Sequence, residues 1–216
     1  MNEDALKESL NEKQRYFKLR SGITQEVYNK VGEGFDKELQ ILVNKIHSDE
    51  LDVNSKELVD FDRNKLEKWY PEVLREAILV MFCSLMEEVL RDIAKICVPN
   101  YDDEIKRENG SWLKKHLGVL NKAKGVDVSE DDVEFLQYFI DLRNCVVHAG
   151  GNVNKSRYGD GIKEAVSSLQ EYGRSHGSYM LGEWEDGYLK LDDHFVPVLV
   201  KKGEKIINGV FKNLQE

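Results

Sequence analysis

Three residues close together in the chain carry side chains suited to phosphate chemistry. They are Arg143, Asn144 and His148, in the stretch DLRNCVVHAGG at 141–151. An imidazole exchanges a proton near neutral pH, so His148 fits a general base or acid. A guanidinium holds phosphate oxygens through its planar fork, which suits Arg143. The amide of Asn144 suits fixing a phosphate oxygen or a water. All three sit among Leu142, Cys145, Val146 and Val147, where a polar group is costly unless it is satisfied.

The residues around them follow a helical period. At about 100° per residue, Gln137, Asp141, Asn144 and His148 fall on one polar seam. Phe135, Phe139, Leu142 and Val146 form one apolar stripe, and Leu136, Ile140 and Val147 a second. Such a helix is apolar around most of its girth, as the centre of a bundle requires. Arg143 falls between the two stripes, about 140° from His148. Two readings follow. In one, Arg143 is a buried cation paired with Glu87 or Glu88, and His148 is a helix C-terminal residue favoured by the dipole. In the other, Arg143, Asn144 and His148 line a pocket that handles a phosphate. The spacing decides little, because Arg-x4-His arises by chance ~0.2 times in a chain of this composition. Requiring asparagine directly after the arginine lowers this to about 0.01.

The elements that must hold these residues are mostly helices, since only three prolines interrupt 216 residues. Apolar residues at three- and four-residue steps predict helices over 3–20 and 24–47, split near Ser21-Gly22. Val27, Val31, Phe35, Leu39, Leu42, Val43 and Ile46 mark the second. Residues 48–70 are mixed, with a short helix from Ser55 as N-cap. Pro71 opens the strongest helix, with Leu74, Ile78, Met81, Leu85, Val89, Ile93 and Ile96 as its stripe, and Pro99 ends it. A loop leads to a helix at 111–124, capped by Ser111 and closed by Gly125. The motif helix starts at Ser129 and ends at Gly150-Gly151. A polar loop, a short helix near 161–172, a β-hairpin signalled by Asp186-Gly187 and a closing helix over 195–214 complete the chain. The expected fold is mostly α, a helical bundle with one small C-terminal β-hairpin. Residues 1–65 read as an N-terminal helical extension and 66–216 as the bundle domain.

Composition narrows the function. Hydrophobic residues make up 41% and charged residues 33%, which fits a folded globular chain. The longest apolar run, at 77–86, is shorter than the ~20 residues a membrane span needs. The acidic start, MNEDALKESL, reads as neither signal nor transit peptide. Cys83, Cys97 and Cys145 lie in apolar helical contexts without Cys-x-x-Cys spacing. No disulfide framework or zinc site is expected, and the cytoplasm is the expected location. A net charge of −9 disfavours long-range attraction to nucleic acid, so any such activity rests on a local basic pocket.

Other candidates carry less. His116 reads as a surface or boundary histidine, His176 as part of a flexible loop, and His194 as a residue just before the last helix. None has metal-ligand spacing, so no metal is expected. Trp112 with Lys114, Lys115, Lys122 and Lys124 reads as a solvated helix face.

RNCVVH at 143–148 resembles the Arg-x4-His signature of HEPN domains, in which a polar residue often follows the arginine. The glycines after it also resemble members of that family. The helix at 74–94, with Ser84 and Glu87, resembles the family's first core helix, and SWLKKHLGVLNKAKGVDV the connecting one. The resemblance covers about residues 70–215. It implies a helical bundle that forms a homodimer, with two motifs facing each other as a composite site. It implies a metal-independent endoribonuclease without cofactor, in a toxin or phage-defence role, leaving 2′,3′-cyclic phosphate ends. Arg143, Asn144 and His148 are then the catalytic residues and RNA the substrate. An antitoxin or regulatory protein is an expected further partner. Other members have lost catalysis and act as nucleotide-binding or scaffolding modules.

Overall fold

A computed structural model describes residues 3–46, 53–157, 159–177, 180–183 and 187–215. The fold is mostly α, with one two-stranded antiparallel hairpin near the C-terminus. Among the described residues no helix is long and apolar enough to cross a membrane.

The N-terminal segment differs from the expectation of two helices. It is one unbroken 44-residue helix, α1, Glu3–Ile46. The Ser21-Gly22 pair does not break it because packing holds it on both sides. Ser21 is fully buried and donates its hydroxyl hydrogen bond to Glu204. One turn on, the Thr24 hydroxyl bonds the Arg20 carbonyl at 2.8 Å. Leu10 and Phe17 are also buried in the same core as the rest of the chain. Beyond them α1 is held less closely, and Val27 of the expected stripe is 42% exposed. The side chain of Ile46 lies outside the described residues.

α2, Val53–Asn64, runs without a gap through a π-helical turn, Lys65–Trp69, into α3, Tyr70–Cys97. The side chain of Ser55, expected as a cap, also lies outside the described residues. Pro71 stands at the start of α3, directly after the π-helical turn, so it marks a change of helix type and not the helix start the sequence suggests. α3 is the centre of the bundle: Ile78, Leu79, Phe82, Leu85, Met86, Val89, Leu90 and Ile93 are buried along it. Of the expected stripe, Met81 instead faces out and is 40% exposed.

Residues 100–110 are not a plain loop. Asn100 turns the chain at φ 55° and α4 follows, Tyr101–Arg107. Asp102, Asp103 and Glu104 sit at its positive end and Lys106 and Arg107 at its negative end, so charge placement supports this short helix. α5, Trp112–Lys124, begins at Ser111, whose hydroxyl accepts the Lys114 N–H, and ends at Gly125. α6, Glu130–Ala149, carries the motif and ends at Gly150 and Gly151, both at positive φ, which favours glycine. α7, Gly159–Ser175, is longer at both ends than the sequence suggests.

Strands β1, Leu181–Glu183, and β2, Leu189–Leu191, pair with Leu181 opposite Leu191. Asp186 of the expected turn lies outside the described residues, and Gly187 adopts φ 79°. Leu189 and Leu191 are buried while Tyr188 and Lys190 face out, as strand alternation requires. α8, Phe195–Gln215, closes the bundle against α1, α3 and α6.

Candidate functional site

α3 and α6 pack against each other in the heart of the bundle. Phe139, Ile140, Leu142 and Cys145 bury one side of α6. Four residues occupy the opposite arc of its last turns. Arg143 and Asn144 are half-buried, and Val147 and His148 are exposed. Helical geometry sets all four within about 140° of each other, with Val147 between Arg143 and Asn144. The three expected site residues therefore stand on one open arc of α6, with Arg143 and His148 at its two edges. The second apolar stripe, by contrast, does not stay inside: Leu136 and Ile140 are buried, but Val147 is 45% exposed.

The Arg143 guanidinium donates to the Asn144 side-chain oxygen at 3.0 Å. Among the described residues it makes no ion pair with a carboxylate, so neither Glu87 nor Glu88 plays the pairing role that a purely structural arginine requires. Glu88 instead accepts a long bond, 3.5 Å, from the Tyr16 hydroxyl. Arg143 and Glu87 still share a neighbourhood through Cys83. Burial pushes that thiol up to about 12, opposed by the charge of Arg143 and helped by that of Glu87. A thiol held so far up is not a nucleophile at neutral pH.

The polar seam continues back along α6. Gln137 donates to Asp141 at 3.0 Å and accepts from the Ser111 hydroxyl of α5. Burial raises the Asp141 carboxyl above its ordinary range. This half of the seam is thus occupied with itself, and only its C-terminal end, Asn144 and His148, opens outward.

Below that end, on α3, stands Glu76. A side chain added at Gly151 would meet its carboxyl oxygen at 3.1 Å. Burial raises Glu76 above the usual carboxylate range, and its charge helps hold the Cys145 thiol up near 11, where burial chiefly puts it. The exposed residues of α3 on its outer side are Val73, Ala77, Met81 and Ser84.

The other histidines separate clearly. His116 is not at the surface: it is 6% exposed, its Nδ1–H donates to the Trp112 carbonyl at 2.6 Å, and its Nε2 accepts from Tyr101 at 2.9 Å. Burial lowers its pKa, so it is a neutral core histidine. Its i−4 partner is a carbonyl in its own helix, a local bond that spacing alone does not reveal. His176 is exposed and stacks on Tyr172, and His194 is exposed. Among the described residues no three His, Cys, Asp or Glu side chains gather as metal ligands. Of the lysines near Trp112, Lys114, Lys122 and Lys124 are exposed, and Lys122 pairs with Glu108.

One neighbour of the motif was not connected to it by sequence. The chain after His148 turns at Gly150-Gly151 and joins the hairpin: Leu189 N–H donates to the Gly151 carbonyl and Val153 N–H to that of Gly187, both at 2.9 Å. Tyr188 bridges Asn152. The alternation in YLKL predicts a strand but not where that strand docks.

No protein-family model matches the chain, and no curated protein and no solved structure matches it either.

Proposed function

We propose that the chain is a HEPN-type endoribonuclease that cleaves RNA without a metal ion. The observation that carries this reading is Arg143. Among the described residues this half-buried guanidinium hydrogen-bonds the neighbouring Asn144 and no carboxylate, which leaves it able to take a ligand, and an exposed histidine stands at the other edge of the same open arc. In the reaction the ribose 2′-oxygen attacks the adjacent phosphorus and forms the new P–O bond, while the bond to the 5′-oxygen breaks. His148 takes the 2′-hydroxyl proton or returns one to the leaving 5′-oxygen. Arg143, steered by Asn144, stabilises the added charge on the phosphorane. The product ends are a 2′,3′-cyclic phosphate and a 5′-hydroxyl. The nucleophile belongs to the substrate, so the chemistry asks for no metal or cofactor.

Arg143 and His148 are splayed about 140° apart on the helix, which favours a composite site completed by a second copy. Exposed apolar residues on the two packed central helices, Val147 on α6 and Val73 and Met81 on α3, support a homodimer seam. The role that goes with this is a cytoplasmic toxin or phage-defence nuclease, held in check by an antitoxin or other regulatory protein. The net charge of −9 counts against avid RNA binding, and the alternative is a HEPN-like module that binds nucleotide or RNA, or scaffolds a partner, without cleaving.

Purified protein is incubated with RNA in excess EDTA, and the ends are mapped. The expected result is cleavage to 2′,3′-cyclic phosphates that is lost in His148→Ala. Equal cleavage by the variant, or none by wild type, overturns the nuclease reading. Arg143-dependent nucleotide binding without cleavage supports the second reading.

A further inference from the structure

A cleft of about 470 Å³ opens between the middle of α1, the π-helical turn and the start of α3. None of the residues that line it belongs to α6, so it is separate from the motif. Two local irregularities of the chain meet in it. The first is Gly32, in the interior of α1, where glycine weakens a helix. Packing does not require it, because a Cβ added there would meet nothing within 4 Å. The space that its missing side chain leaves open belongs to the cleft. The second is the π-helical turn itself, a rare conformation that recurs at functional sites, whose Leu66 and Glu67 also line the cleft. Tyr28 and Asp193 are lining residues as well, and the Tyr28 hydroxyl donates to the Asp193 carbonyl at 3.2 Å.

The lining specifies a ligand chemistry. Phe35, Leu39, Leu66 and Leu74 are each half-buried and leave an apolar wall open to a guest. Of the carboxylates, Glu67 pairs with Arg63 and Asp193 with Arg75. Glu33 and Asp36 stand exposed on α1, and the nearby Lys30 is taken by Glu26. Arg75 does not offer an anion site here. It is committed to Asp193 and the Leu191 carbonyl, and its unpartnered Nε is buried.

We propose that this cleft binds a small organic amine with an apolar body. The ammonium group lies between Glu33 and Asp36, and the body packs on Phe35, Leu39, Leu66 and Leu74. An apolar wall with a few polar groups to fix orientation is the usual make-up of a small-molecule site, and the volume falls within the usual ~300–1,000 Å³. The net charge of −9 attracts a cation in the same way that it repels RNA. The site asks nothing of Arg143 or His148 and stands or falls apart from the nuclease reading.

The test is isothermal titration calorimetry of the full-length protein with tryptamine, with tryptophol as its neutral analogue and indolepropionate as its anionic one. The expected result is one tryptamine bound per chain, tryptophol about tenfold weaker, and no binding of indolepropionate. Gly32→Leu is expected to fill the cleft and abolish binding, with a melting temperature no lower than wild type. Gly34→Leu is the control: a Cβ there also meets nothing within 4 Å, but Gly34 does not line the cleft, so this variant should bind as wild type does. Glu33→Gln combined with Asp36→Asn should weaken tryptamine about tenfold and leave tryptophol unchanged. No binding of tryptamine by wild type overturns the proposal, as does equal binding by Gly32→Leu. Equal affinity for all three compounds would show an apolar crevice only, and preference for indolepropionate would show an anion site at Arg75; either result overturns it.

Discussion

Arg75 and Arg143 lie on the two central helices, both largely withdrawn from water, and they are treated in opposite ways. Arg75 on α3 is engaged through both terminal nitrogens, while its buried Nε has no partner among the described residues. It donates to the Leu191 carbonyl at 2.9 Å and to Asp193, with Glu72 at 3.9 Å. Glu72 in turn accepts the Leu191 N–H at 2.6 Å, so the pair clamps strand β2 and the entry to α8 onto α3. Arg143 on α6 holds Asn144 and, among the described residues, no acid. A buried cation with acids and carbonyls around it fixes a fold. One left to a neighbouring amide is stabilised enough to stay in place and remains free to take a phosphate oxygen. The contrast is what the proposal rests on: a structural role for the first arginine and a chemical one for the second.

The largest effect is expected at His148. His148→Ala should lower RNA cleavage by roughly 10³-fold, within the usual range for losing a general acid or base. Its melting temperature should move little, because the side chain is exposed. Arg75→Ala should do the reverse. Removing it leaves Asp193 and Glu72 without their cation and the Leu191 carbonyl without a donor, for a loss of about 3 kcal/mol. For a chain of this size that lowers Tm by roughly 8 °C, measurable by calorimetry. A stable Arg75→Ala would break the comparison from the structural side.

Asn144→Ala sharpens it from the other. The amide is half-buried and its bond is to the guanidinium, so cleavage should fall about tenfold with stability changed by less than ~1 kcal/mol. The smallest effect concerns pH. Burial, against the hydrogen bond from Leu191 and the charge of Arg75, pushes the Glu72 carboxyl up to about 7. The folded state therefore holds a proton that the unfolded chain, with its carboxyl near 4.3, has released. Stability from this group is full below the unfolded value and is lost as pH rises through about 7. In Glu72→Gln that loss is absent. Thermal melts should show the variant gaining on wild type between pH 5 and pH 7.5 and no further above it; a constant difference would remove Glu72 from the clamp's titration.

Much of the fold was legible, and the misses have causes. Ser111, Gly125 and Gly150 mark helix ends because caps and φ constraints act locally, and the structure keeps all three, whereas helix already runs through the residues before Pro71. The break at Ser21-Gly22 was read from local propensity, but the pull of Glu204 on Ser21 comes from 183 residues away. His116 misled for the same reason, since the Tyr101 hydroxyl that satisfies it arrives on a helix the sequence showed only as a loop. At the site, the three residues and their shared helix were readable from spacing. The exposure of Val147, the freedom of Arg143 from any acid and the docking of Tyr188 beside the motif follow from how α3, α6 and the hairpin pack, which no periodicity records.

The central claim is that Arg143 is held for a phosphate and not for the fold. The rate of RNA cleavage by Arg143→Ala in EDTA, set against wild type of the same melting temperature, tests it directly. The expected result is a drop of roughly 10³-fold, as for losing a principal stabiliser of transition-state charge. A variant that cleaves at the wild-type rate, or one that unfolds as an ion-paired arginine would, contradicts it.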